Sequence, residues 1–99
     1  MAAFVNLLRF KDAVDPDLFA EAERDLTPQM RAVEGFQDFF AIQTSDTEVI
    51  LLILGDDVDA LNRLGTEVGS PWMMAHVVPL LAEPPDLYIG PTIASSRPT

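Results

Sequence analysis

The chain has 99 residues, 48% of them apolar, with 16 acidic side chains against 6 basic ones for a net charge of −10 and a mean hydropathy of +0.19. That length allows one domain, expected over 1–94 with a polar tail at 95–99. An apolar half excludes a disordered acidic chain, and six cations against sixteen acids give no basic face for nucleic acid or an anionic membrane. Without cysteine there is no disulfide, thiolate nucleophile or cysteine metal site.

The N-terminus lacks a cationic region, and its apolar stretch is broken by Asn6 and Arg9, so it does not read as a signal peptide. The longest apolar run, Val49 to Leu54, is far short of the roughly 20 residues that span a bilayer. A cytoplasmic protein without membrane contact is expected.

Ala3 to Phe10 reads as a strand, with Phe4, Asn6, Leu8 and Phe10 on one face and Val5, Leu7 and Arg9 on the other. Asn6 is the polar exception on an apolar face. Asp15-Pro16 is a helix start, an N-cap acid followed by proline. Leu18, Ala22, Leu26, Met30 and Val33 then recur at helical spacing. Pro28 interrupts that pattern and predicts a kinked or two-piece helix ending near Glu34-Gly35.

From Phe36 the period becomes two, with Phe36, Asp38, Phe40 and Ile42 set against Gln37, Phe39, Ala41 and Gln43. A turn at Thr44–Thr47 leads to a continuous apolar strand, Glu48 to Leu54, completing a hairpin. Asp56 or Asp57 caps a helix carrying Val58, Leu61 and Leu64, which is expected to stop at Gly65 to Gly69. Ser70-Pro71 repeats the cap-plus-proline signal for a short helix, Trp72 to Val78, ended by Pro79. Leu87 to Ala94 supplies the last strand, interrupted at Gly90-Pro91, and Ser95 to Thr99 is expected to fray.

The order β-α-β-β-α-β is the ferredoxin-like, α+β pattern with a four-stranded antiparallel sheet. Helices cover one face of such a sheet. Here both strand faces are apolar, which predicts a homodimer with the two sheets packed face to face.

Three stretches resemble the antibiotic-biosynthesis-monooxygenase-like group of dimeric α+β barrels. Val33 to Thr44 is similar to the helix-to-strand passage of its haem-degrading branch. Ser70-Pro71-Trp72-Met73-Met74-Ala75-His76 is similar in spacing to the segment carrying that branch's axial histidine, and Asn6 stands where it places an asparagine beside the ligand. The resemblance implies cofactor-independent oxidation of a planar, apolar aromatic compound between sheet and helices, or haem binding with His76 as the axial ligand. Leu64 stands where the haem-degrading branch has tryptophan, and about four extra residues precede His76, with Trp72 in a different register. These departures argue against haem degradation.

His76 is the only histidine, and so the candidate general base or iron ligand, with a helix-end histidine bonded to backbone as the plainer reading. Asn6 offers a donor and acceptors to orient a carbonyl, an enolate or oxygen, or else bonds to a neighbouring strand. Trp72 and Tyr88 could stack on a flat ligand, with Phe40 and Met73 beside them, although Trp72 suits a core or interface equally. Met30, Met73 and Met74 suit an adaptable apolar lining. Arg9 is expected to pair with acids. The clusters Asp15/Asp17, Glu21/Glu23/Asp25 and Asp56/Asp57/Asp59 match no metal spacing and read as solvated caps. A non-enzymatic dimeric module that binds a small molecule is the remaining alternative.

Overall fold

In a computed structural model, described for residues 1–97, the chain runs β1 (Ala2–Arg9), α1 (Pro16–Arg31), β2 (Phe36–Ser45), β3 (Glu48–Gly55), α2 (Val58–Leu64), a π-turn (Gly65–Gly69), α3 (Ser70–His76), a 3-10 turn (Val78–Leu80) and β4 (Asp86–Pro91). The four strands pair antiparallel in the order β2-β3-β1-β4. This is the α+β, ferredoxin-like arrangement expected from the order of elements.

Register decides which side chains meet the helices. Asn6 lies opposite Leu51 on β3 and Leu87 on β4. Its face therefore also carries Phe4, Leu8, Val49 and Ile53. Against this face α1 buries Ala22, Leu26 and Met30, while α2 buries Ala60, Leu61 and Leu64. The core separates into two clusters, one around Leu8, Val49 and Val77 and the other around Leu26, Met30 and Leu64. Phe39 and Trp72 pack against both.

The caps of α1 and α2 form where the sequence places them. The Asp15 carboxylate accepts from the Asp17 N–H at 2.9 Å, and that of Asp57 accepts from Ala60 N–H at 2.7 Å. The predicted two-piece helix is instead a single α1 that runs through Pro28. Pro28 is exposed, and the carbonyl it leaves without a donor belongs to exposed Arg24, where water can replace the missing bond. The helix ends at Arg31, and Gly35 turns the chain into β2 with φ +91°. Only glycine takes that conformation without strain, and a Cβ there would stand 2.6 Å from the Cβ of Ala60.

Strict alternation in β2 fails at its start. The pairing shifts between Phe36 and Asp38, so a bulge at Gln37 puts Phe36 and Phe39 on the helix side. Asp38, Phe40 and Ile42 go to the opposite face.

The glycines at 65 and 69 do not stop the second helical segment. The backbone stays right-handed through Gly65 (φ −60°, ψ −45°) and Ser70 (φ −61°, ψ −46°), with the Ser70 N–H donating to the Gly65 carbonyl. Ser70 does not act as a cap. Pro71 lacks an N–H and would press on the Glu67 carbonyl, and the wider π-turn accommodates both problems. The segment ends at His76, before Pro79.

β4 ends at Pro91 rather than Ala94, after which the Thr92 N–H donates to the Met1 carbonyl at 2.8 Å. Within the expected tail, the Arg97 guanidinium reaches Gln37 Oε1 at 3.2 Å and Asp38 at 3.5 Å. Pro98 and Thr99 of the expected tail lie outside the described residues. Among those described, no helix is long and apolar enough to cross a membrane.

Candidate active site

Between the inner sheet face, α1 and the α2–α3 segment lies a cavity of about 230 Å³. Phe4, Asn6, Leu51 and Leu87 line it from the sheet, Leu26 and Met30 from α1, and Leu64, Trp72 and Met73 from the other helical segment. Met30, Met73 and Met74 all reach it, as the sequence suggests for an adaptable apolar lining.

Two polar atoms stand out in this lining. Asn6 is only 5% exposed and its Oδ1 has no hydrogen-bond partner, and the buried Nε1 of Trp72 has none either. Leaving such an atom unpaired costs about 1–3 kcal/mol. One atom accepts a hydrogen bond and the other donates one. No side chain that titrates near neutrality lines the cavity.

The sequence-derived candidates separate into two groups. Asn6, Trp72 and Met73 come together in the cavity. Tyr88 does not: it pairs with Val5, on the sheet face away from the helices, and is 62% exposed. Phe40 lies opposite Leu52 on that same outer face, where the Gln37 bulge sends it. Neither can form a wall of this cavity. His76 is exposed and outside it as well, with its ring stacked on Trp72 at a centroid distance of 5.0 Å and 30° between planes. The structure therefore does not bring His76 and Asn6 together.

Phe19, Leu87, Gly65 and Gly69 line the cavity without having been singled out from sequence. Only strand register reveals Leu87, and only the π-turn reveals the glycines. Phe19 could have been noticed beside Leu18 on the helical repeat, and it meets Phe10 edge-on at 6.1 Å.

The charges lie elsewhere. Arg9 projects from the outer face and donates to Asp86 at 2.8 Å and Glu83 at 2.9 Å, with Glu48 at 3.7 Å. The Asp86 hydrogen bond, opposed by desolvation and helped by the charges of Glu83 and Asp86, holds the guanidinium above its ordinary pKa. Asp56 accepts from Gln37 Nε2 at 2.9 Å. Among the described residues, no three metal-ligating side chains converge.

No family model matches the sequence, and no curated protein matches it. Solved structures do. A monooxygenase of Streptomyces coelicolor, ActVA-Orf6, in complex with nanaomycin D, is 16% identical with a TM-score of 0.78, covering 99% of this chain and 92% of its own. SnoaB of Streptomyces nogalater, a cofactor-independent oxygenase, is 16% identical with a TM-score of 0.74, over 96% and 95%. A variant of MhuD carrying two manganese protoporphyrin IX per active site is 9% identical with a TM-score of 0.71, over 99% and 100%. The chain thus has the α+β fold of the antibiotic biosynthesis monooxygenase-like proteins.

Proposed function

We propose that the cavity binds a flat aromatic hydroxy compound of about two fused rings, and that the protein promotes its oxidation by dioxygen. The observation that carries this reading is the pair of unpartnered buried atoms, Asn6 Oδ1 and Trp72 Nε1, in a lining whose other side chains are apolar apart from Ser70. A phenolic hydroxyl carries the complement of each atom, an O–H to donate to an amide oxygen and an oxygen to accept from an indole N–H. An apolar cavity of about 150 Å³ holds benzene, so 230 Å³ leaves room for a second ring.

The reaction balances with dioxygen as the only co-reactant. The phenol loses its hydroxyl proton, and the ring carbon delivers an electron pair to dioxygen and forms a C–O bond. That carbon then loses its hydrogen as the O–O bond breaks, leaving a quinone carbonyl, and both hydrogens end in one water. Asn6 and Trp72 hold and orient the reacting oxygen, and the apolar walls keep bulk water away. With no titratable group lining the cavity, the first proton leaves to solvent at the cavity mouth, so the substrate must be an acidic phenol or enol. The base role expected of His76 has no path in this geometry.

Haem, which the MhuD likeness raises, is the weaker reading here, because His76, the expected axial ligand, is exposed and lies outside the cavity lining. Oxygen consumption with 1-naphthol, alongside calorimetric binding, tests the proposal. One dioxygen consumed per quinone formed supports it. Binding without oxygen uptake would leave a carrier, and absence of binding would overturn both statements.

We further infer that a second copy of the chain covers the outer sheet face, forming a homodimer. Val5, Leu7, Ile50, Leu52, Phe40, Ile42 and Tyr88 form an apolar patch on that face, bordered by Asp38 and by Arg9 with its acids, with Phe40 48% and Ile42 46% exposed. A sheet face left in water alternates with polar residues instead. A self-complementary apolar patch suits a two-fold contact. Light scattering after gel filtration should give twice the chain mass, and a monomer at micromolar concentration would overturn the inference.

A further inference from the structure

The helical segment from Val58 to His76 meets the cavity at its π-turn, which has glycine at both ends. Neither glycine is required by the backbone. Gly65 has φ −60° and ψ −45°, and Gly69 has φ −66° and ψ −53°, values open to any residue. Packing does not require them either. A Cβ on Gly65 would meet no heavy atom within 4 Å, and on Gly69 only the Leu64 carbonyl oxygen at 3.9 Å. Within a helix, glycine is disfavoured relative to alanine because it loses more conformational freedom on folding. Two such positions four residues apart therefore weaken the helix without serving the fold.

Both positions line the same cavity as Asn6, whose buried Oδ1 has no partner. We propose that Gly65 and Gly69 determine ligand size: with no side chains on the π-turn, its bare backbone forms part of the cavity wall, and the second ring of the ligand lies against it. This rests on the reading of the cavity as a site for aromatic hydroxy compounds. The first ring is fixed by the hydroxyl at Asn6 and Trp72. A methyl group at either glycine shortens the space beyond it while favouring the helix.

The test measures binding of phenol and of 1-naphthol to the wild type, Gly65→Ala and Gly69→Ala, together with thermal unfolding of each ligand-free protein. Both variants should unfold at the same or a higher temperature and bind phenol within about twofold of the wild type. Their affinity for 1-naphthol should fall at least tenfold. This combination, a stabler protein with a narrower ligand range, is not what general damage to the fold produces. Unchanged 1-naphthol binding in both variants would overturn the role of the glycines and leave the cavity reading intact. Equal loss of phenol and 1-naphthol with a lower unfolding temperature would also overturn it, by showing a structural role. A wild type that binds neither compound would overturn the cavity reading itself, and this inference with it.

Discussion

Replacing Asn6 with leucine separates the cost of the unpaired amide from its use. In the ligand-free protein the Oδ1 atom is buried at 5% residue exposure with no partner, a penalty of about 1–3 kcal/mol. Leucine carries no such penalty, and its extra volume can enter the adjoining 230 Å³ cavity without overpacking. Asn6→Leu should therefore stabilise the ligand-free protein. For a domain of this size each kcal/mol moves Tm by about 4–8 °C, so a rise of at least about 4 °C is expected by calorimetry.

Ligand selectivity should move the other way. A net hydrogen bond of about 0.5–1.5 kcal/mol corresponds to roughly a 2- to 12-fold preference for 1-naphthol over naphthalene, and the variant should lose that preference while still binding naphthalene. A lower Tm in Asn6→Leu would refute the reasoning, because it would mean that the amide oxygen is satisfied in solution.

Three further substitutions test separate parts of the structure. Gly35→Ala forces a side chain into φ +91° and against Ala60, so the urea midpoint should fall by the equivalent of about 2 kcal/mol or more, and an unchanged midpoint would contradict the turn. His76→Ala removes a ring that lies outside the cavity. It should leave 1-naphthol affinity within about threefold while altering the fluorescence of Trp72, and a tenfold loss with the fold intact would return His76 to the site. Arg9→Leu leaves Glu48, Glu83 and Asp86 without their shared cation. Because the guanidinium pKa is raised, its stabilising charge is complete at neutral pH and is lost only as pH rises through that elevated value. The stability gap between wild type and Arg9→Leu should therefore be present at neutral pH and shrink in high salt, and a gap absent at neutral pH would refute the ion-pair account.

The fold was legible because its signals are local. Asp15-Pro16 and Asp57 satisfy N–H groups within their own first turns, and strand periodicity needs only a few residues. Half of the site was legible for the same reason: alternation alone puts Asn6 on the face of Phe4 and Leu8. The rest depends on non-local geometry. If Phe36 faces the helices, alternation sends Phe40 there too, but the Gln37 bulge reverses the strand. Leu87, Tyr88 and Ile89 are apolar in succession, so no pattern says which faces inward until pairing with Asn6 and Val5 fixes it. The sequence leaves Trp72 between a ligand wall and a core or interface residue, and the continuous helical segment through the π-turn carries it to the cavity. His76, four residues beyond Trp72, lies on the same side of α3, but Trp72 stands between it and the site.

The surplus of apolar residues in so small a chain thus has two destinations, and they lie on opposite faces of one sheet. Val5, Leu7, Phe40 and Tyr88 face outward, while Phe4, Asn6, Leu51 and Leu87 face the cavity. No outer-face side chain lines the cavity, so subunit association and ligand binding should be separable. Phe40→Asp places a charge on the apolar patch of the outer face, where burying it unpaired would cost several kcal/mol, and it should give a monomer by light scattering. That monomer should still bind 1-naphthol within about threefold of the wild type, since the cavity opens on the sheet face opposite the patch. A folded monomer that has lost the ligand would show instead that the partner subunit completes the site, and the cavity of the single chain would no longer account for recognition.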